Sequence, residues 1–244
     1  MLSLVAMSLF VFLLKQEHDR AAETQCKNNL RQLGLGLWNY SEVYSGFPPA
    51  HKSQHSWRIR LLPFILSSPQ YTAYDFNQPW DAPHNMVHTR PLRSGKGHDE
   101  AMRNRVSVWG HPYGPPCDHA DPDTTSYVML VGKDAFAHPS DQRDMADITD
   151  GLKNTIAIVE VADSTVHWLS PVDLDFDDMS FKINDGSKSI SSHHPTGPAV
   201  LFCDRVVLRL NPAISPEIVR GLCTINGGED LSRDALIEQG LLIR

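Results

Sequence analysis

The chain has 244 residues, of which 41% are hydrophobic and 21% charged, with a net charge of −7. Such a composition folds around a core and excludes a disordered chain. The acidic balance, without a Lys/Arg run anywhere, argues against a nucleic-acid partner. The 17 Pro and 15 Gly favour many turns and short strands.

The first element is apolar. Met1 to Leu14 carries no charge. At about 1.5 Å per residue it covers roughly 21 Å, short of the roughly 30 Å hydrocarbon core of a bilayer. The basic flank of a signal peptide is missing, and no small-residue cleavage site precedes Gln16. Leu30, Leu33, Leu37, Tyr40 and Tyr44 recur at spacings of three and four, which marks one face of a helix. Gly46 and Pro48 then stop it. The spacing therefore predicts a single helix of about forty residues. Its tip would lie in a membrane and its C-terminal half on a domain. An upstream start site would supply the missing length and flank.

Further along, Ser56 to Leu66 reads as a short mixed segment, in which Ser56 can cap one helical turn and Pro63 ends or kinks whatever forms. Trp80-Asp81-Ala82-Pro83 reads as a helix entry. Val106 to Trp109 is a strand candidate, and residues 86 to 124 form a long irregular insertion. Ser126 to Val131, Thr155 to Val161, Val166 to Phe176, Ala199 to Cys203 and Val206 to Leu210 read as strands. Ser215 to Cys223 and Leu231 to Leu242 read as helices, Ser215 capping the first and Pro216 opening it. Strands that follow one another without intervening helices imply an antiparallel sheet in an α+β fold.

Several stretches together carry a resemblance: QCKNNLRQLGLGLWNY (Gln25 to Tyr40), FPP (Phe47 to Pro49), SWRIRLLPFI (Ser56 to Ile65) and FNQPWDAPHN (Phe76 to Asn85), followed by TSYVMLVG (Thr125 to Gly132), ITDGLKNTIAIVEVAD (Ile148 to Asp163), PVDLDFD (Pro171 to Asp177) and HPTGPAVLFCD (His194 to Asp204). They resemble the bacterial prepilin-like family called domain of unknown function 1559. Its members carry an H-x9-D-G signature and look like the major pseudopilin of type II secretion. The resemblance implies a pilin-like α+β fold, with residues 1–15 as an apolar membrane segment and residues 16–244 as one domain. The long helix would pack on an antiparallel sheet, and short helices would close the C-terminus. Two departures stand out. The basic leader and G-F-x-x-x-E motif of such proteins are not in this sequence, so leader processing is not expected of it as it stands. Arg205 replaces the Gly of the signature. A two-residue type I′ turn wants positive φ at both positions. Arg205 is therefore expected to avoid positive φ, in a different turn type or a longer loop.

Candidate sites are sparse. His194 and Asp204 are the signature pair, read as structural, His194 bonding backbone and Asp204 its own turn. Calcium is the ion the resemblance raises, with Asp173, Asp175 and Asp177 as candidate ligands. Because Val172, Leu174 and Phe176 alternate with them, the stretch reads instead as a half-buried strand with a solvated acidic face. The EF-hand spacing is absent. Asp118, Asp121 and Asp123 form a second acidic loop. Of the 12 histidines, His84 and His88 are four apart, but Asn85 denies them an H-E-x-x-H motif. His193 and His194 would need His167 or His111 as a partner. The 4 cysteines, Cys26, Cys117, Cys203 and Cys223, allow three pairings. Cys203–Cys223 is the nearest pair; the alternative for Cys203 is a small buried hydrophobe. Neither a nucleophile elbow nor a phosphate loop is present. Gly34 and Gly36, inside the long helix, suit close approach of a neighbouring element.

The reading is thus a non-enzymatic, membrane-anchored structural or assembly protein, its domain periplasmic or extracellular, with no cofactor. It would self-associate, or join other pilin-like subunits, through the N-terminal helix. Leu30, Leu33 and Leu37 form its packing face. The alternative is an exported solute- or glycan-binding module with Trp80 and Trp109 lining a groove.

Overall fold

The computed structural model describes residues 2–65, 69–88 and 123–244. Helix α1 (Leu2–Tyr44) is continuous, as the apolar spacing requires. Hairpin strands β1 (His51–Lys52) and β2 (His55–Ser56) follow, then α2 (Trp57–Ile65), which ends just past Pro63. The short helices α3 (Pro69–Ala73) and α4 (Pro83–His88) come next. The Val106–Trp109 strand, His111 and most of the long insertion lie outside the described residues.

The C-terminal half builds the main sheet. Its strands are β3 (Tyr127–Val131), β4 (Ile156–Glu160), β5 (Leu174–Asp175), β6 (Ala199–Phe202), β7 (Val207–Leu210) and β8 (Leu242–Ile243), in the order β5-β3-β4-β6-β7-β8. All neighbours are antiparallel except β3 and β5, so the sheet is mixed. Helices α5 (Pro216–Cys223) and α6 (Arg233–Glu238) close the chain. Ser215 caps α5 by accepting from the Ile218 N–H, with Pro216 in its first turn.

Two departures from the sequence reading concern strands. Of the Val166–Phe176 stretch only Leu174–Asp175 forms a strand, parallel to β3, while His167 makes a single antiparallel bridge to Thr124. The end of the Leu231–Leu242 stretch leaves the helix and adds β8 to the sheet.

Strands β3, β4, β6 and β7 are buried throughout because the sheet is covered on both faces. On one face Tyr127, Met129, Ala199, Leu201 and Val207 pack with Leu30, Leu33 and Leu37 of α1 and with α2. On the other, Val128, Leu130, Val200, Phe202, Leu208 and Leu210 pack with Val219 and Leu222 of α5 and Leu236 of α6. A register shift between Ile156 and Ile158 lets β4 put Ala157 and Ile158 on the first face and Ile156 and Val159 on the second.

Close approach on the helical face depends on Gly34 and Gly36. A Cβ on Gly34 would sit 2.9 Å from Leu201 Cδ1, and one on Gly36 2.6 Å from Ile65 Cγ1. The two glycines thus seat α1 against β6 and against α2.

The β6–β7 turn corrects the expectation for Arg205, which sits at φ 74°. Its N–H donates to Phe202 O, and the Phe202 N–H donates to Val206 O, both at 2.9 Å. This is a turn followed by a left-handed bulge residue, not a two-residue I′ turn. The φ cost of about 1 kcal/mol is offset by the guanidinium lying 4.9 Å over the Trp38 ring. Trp38 Nε1 in turn donates to Cys203 O at 2.9 Å, so α1 holds this hairpin from below.

Candidate functional site

Two features stand apart from ordinary packing. The first is the free end of α1. Its side chains from Cys26 onward bury Leu30, Leu33 and Leu37, whereas Met7, Phe10, Leu13 and Leu14 are 63%, 61%, 48% and 54% exposed. Among the described residues, no helix is long and apolar enough to cross a membrane.

The second is a buried polar cluster where α1 leaves the sheet. Cys26 comes from α1, Glu160 from the end of β4, and His194 from the loop before β6; all three are buried. Cys26 Sγ lies 3.4 Å from His194 Nε2 and 3.9 Å from Glu160 Oε1. His194 Nε2 lies 4.0 Å from the same Oε1. The carboxylate is held in place: Ser192 Oγ donates to Oε1 at 2.9 Å, and the Ala199 N–H donates to Oε2 at 2.8 Å. Behind the ring, Glu23 Oε1 is 4.0 Å from His194 Nδ1. Burial pushes the His194 ring below the usual imidazole range, and Arg209 adds to this; Glu160, Glu23 and Asp19 oppose it. Asn29 Nδ2 donates to the hydroxyl of Tyr127, whose pKa burial drives well above that of a free phenol. The donor set is thiol, carboxylate and imidazole, which suits a borderline-soft divalent metal.

Of these three, the sequence singled out His194 as a signature residue with a backbone bond, and Cys26 only as one of four cysteines open to pairing. The structure gives the His194 ring side-chain partners instead. Two signals pointed to the others. Glu160 is a charge at the end of the apolar run TIAIVEV, and Cys26 lies four before Leu30, on the packing face. The signature partner Asp204 goes elsewhere: its Oδ1 accepts from the Val206 N–H and from Arg233 Nη1, the latter at 2.7 Å.

The acidic stretch after Pro171 is a correction. Asp173 does not face solvent. Its carboxylate accepts from Arg58 Nη2 at 2.6 Å, Trp57 Nε1 at 3.1 Å and the Met129 N–H at 2.9 Å. Burial pushes the Asp173 pKa up, and Arg58 and these bonds oppose it. Arg58 is itself buried and also donates to the carbonyls of Tyr127, Ser170 and Val172. Asp173 is thus an internal ion pair rather than a strand-surface carboxylate, while Val172 is exposed. Asp175 and Asp177 do lie outside, and Asp175 Oδ1 accepts from the Asp177 N–H.

Among the remaining candidates, Trp80 packs on the core with its ring 5.5 Å from that of His167. Trp109 lies outside the described residues, as do Asp118, Asp121 and Cys117. His84 Nε2 bonds Ala73 O, and His193 Nε2 bonds the exposed Asp163. Cys203 and Cys223 are buried thiols, not a disulfide.

The fold and site describe an α+β protein with an N-terminal helix seated on a mixed sheet. The chain belongs to the family described as protein of unknown function DUF1559, whose model matches residues 18–188. No curated protein and no solved structure matches it.

Proposed function

We infer that the chain is a non-enzymatic, pilin-like structural subunit. It is anchored at a membrane by α1, with its body outside the cytoplasm, and it associates with like subunits through that helix. The observation that carries this reading is the division of α1. One half is locked on the sheet by Leu30, Leu33 and Leu37; the other projects with Met7, Phe10, Leu13 and Leu14 exposed. Exposed apolar side chains on a lone helix favour burial in lipid or against another helix.

The test is site-specific photocrosslinking in intact cells. A benzoyl-phenylalanine replacing Phe10 yields adducts at twice the chain mass in the membrane fraction, and the same probe replacing Lys182 does not. Monomer alone at Phe10, together with release into the soluble fraction, refutes the reading.

A second reading, an exported solute-binding module, is favoured by a cleft of about 430 Å³ lined by Val161, Asp163, Thr165, Val172, Asp175 and Lys188. Thermal-shift screening against sugars and amino acids tests it; no shift with any of them removes it.

A further inference from the structure

We propose that Cys26, Glu160 and His194 form a binding site for a divalent transition metal of the zinc class, and that the ion fastens α1 to the sheet at the point where the helix leaves it.

The geometry supports this directly. Ligands at about 2.0–2.3 Å around a tetrahedral ion lie roughly 3.4–3.6 Å from one another. The donor atoms here are separated by 3.4, 3.9 and 4.0 Å, so closure of a few tenths of an ångström brings all three into coordination.

The chemistry agrees. A thiolate and a carboxylate bring two negative charges into a buried space, which a divalent ion balances; neutral imidazole completes the set. Binding replaces the Cys26 S–H bond with an S–metal bond, and the proton passes to solvent. Outer contacts of the expected kind are in place. Ser192 and the Ala199 N–H orient the Glu160 carboxylate, and Glu23 stands behind the far ring nitrogen of His194. Three protein ligands leave a fourth position for water. Glu23, beside the ring, is only partly covered.

The three ligands come from distant parts of the chain. Cys26 is 134 residues from Glu160 and 168 from His194. Among the described side chains of α1, Cys26 is also the first that is fully buried. One ion there ties the root of the projecting helix to β4 and to the loop before β6.

The experiment is titration of the purified, chelator-stripped full chain with cobalt(II), then zinc. One equivalent of cobalt binds and gives a thiolate-to-cobalt charge-transfer band. Cys26→Ser abolishes the band, and His194→Gln weakens binding by more than about tenfold, the loss typical of disturbing even an outer partner. His193→Gln, an exposed neighbour, leaves both unchanged. Zinc raises the melting temperature of the wild type and chelator reverses the shift. Absence of the band, or its persistence in Cys26→Ser, overturns the proposal. Where Cys26→Ser does not fold, the wild type decides: a melting temperature that neither zinc nor chelator moves overturns it. None of these readouts depends on self-association, so failure here leaves the subunit reading standing.

Discussion

Asp173→Asn tests how the two halves of the chain are joined. The substitution keeps the volume and removes the charge. In the native protein Asp173 takes a 2.6 Å bond from Arg58 and bonds from Trp57 and the Met129 N–H. Asparagine can keep the Oδ1 oxygen that accepts from Arg58, Met129 and Trp57, but its amide nitrogen takes the place of Oδ2, 3.2 Å from Trp57 Nε1, donor to donor. Arg58, fully buried, is left without its counter-charge. Breaking one side of a buried pair costs about 3–5 kcal/mol. For a chain of this size that lowers the melting temperature by roughly 6–20 °C. Arg58→Lys separates charge from geometry. Lysine has three donors, too few for Ser56, Tyr127, Ser170, Val172 and Asp173 together. It costs about 1–3 kcal/mol. Urea unfolding followed by circular dichroism measures both. If Asp173→Asn costs less than about 1 kcal/mol, the ion pair is not what joins α2 to β3.

Three further outcomes are expected. Gly36→Val drives a branched side chain into Ile65 and Leu61 and destabilises the chain by about 1–3 kcal/mol; equal stability in urea would mean that α1 and α2 can separate freely. Arg205→Ala keeps the positive φ and loses the Trp38 contact, so it unfolds at lower urea than Arg205→Gly, by about 1 kcal/mol; the reverse order would deny strain at this turn. His55 is buried between the Tyr74 hydroxyl and Phe76 O, and burial holds its pKa below the ordinary value of 6.5. The unfolded chain takes up the proton first, so stability is lost as pH falls below about 6.5; His55→Gln reduces that slope in a series of melts, and an unchanged slope would refute the assignment.

Local pattern made part of this legible. The spacing of Leu30, Leu33 and Leu37 is a property of one helix, and TIAIVEV declares a buried strand by itself. The pairing of β5 and β8 was hidden because each is two residues long, and its partner, rather than its own pattern, sets it. Asp173 was misjudged for a related reason. Alternation with Val172, Leu174 and Phe176 points it outward, but Arg58, 115 residues earlier, supplies the charge that lets it turn inward. The cluster of Cys26, Glu160 and His194 lies beyond any window-based reading, since only the closed sheet brings the three together.

The seat of α1 has a consequence for synthesis. The helix is made before any strand of the main sheet, and Leu201 and Val207, which help to cover its apolar face, come late. At about 5–20 residues per second, the roughly 170 residues between Leu30 and Leu201 take on the order of 10–30 s to emerge. For that time Leu30, Leu33 and Leu37 lack the β6 and β7 side chains that complete their cover. Until β6 and β7 exist, a chaperone or a lipid surface can shield that part of the helix.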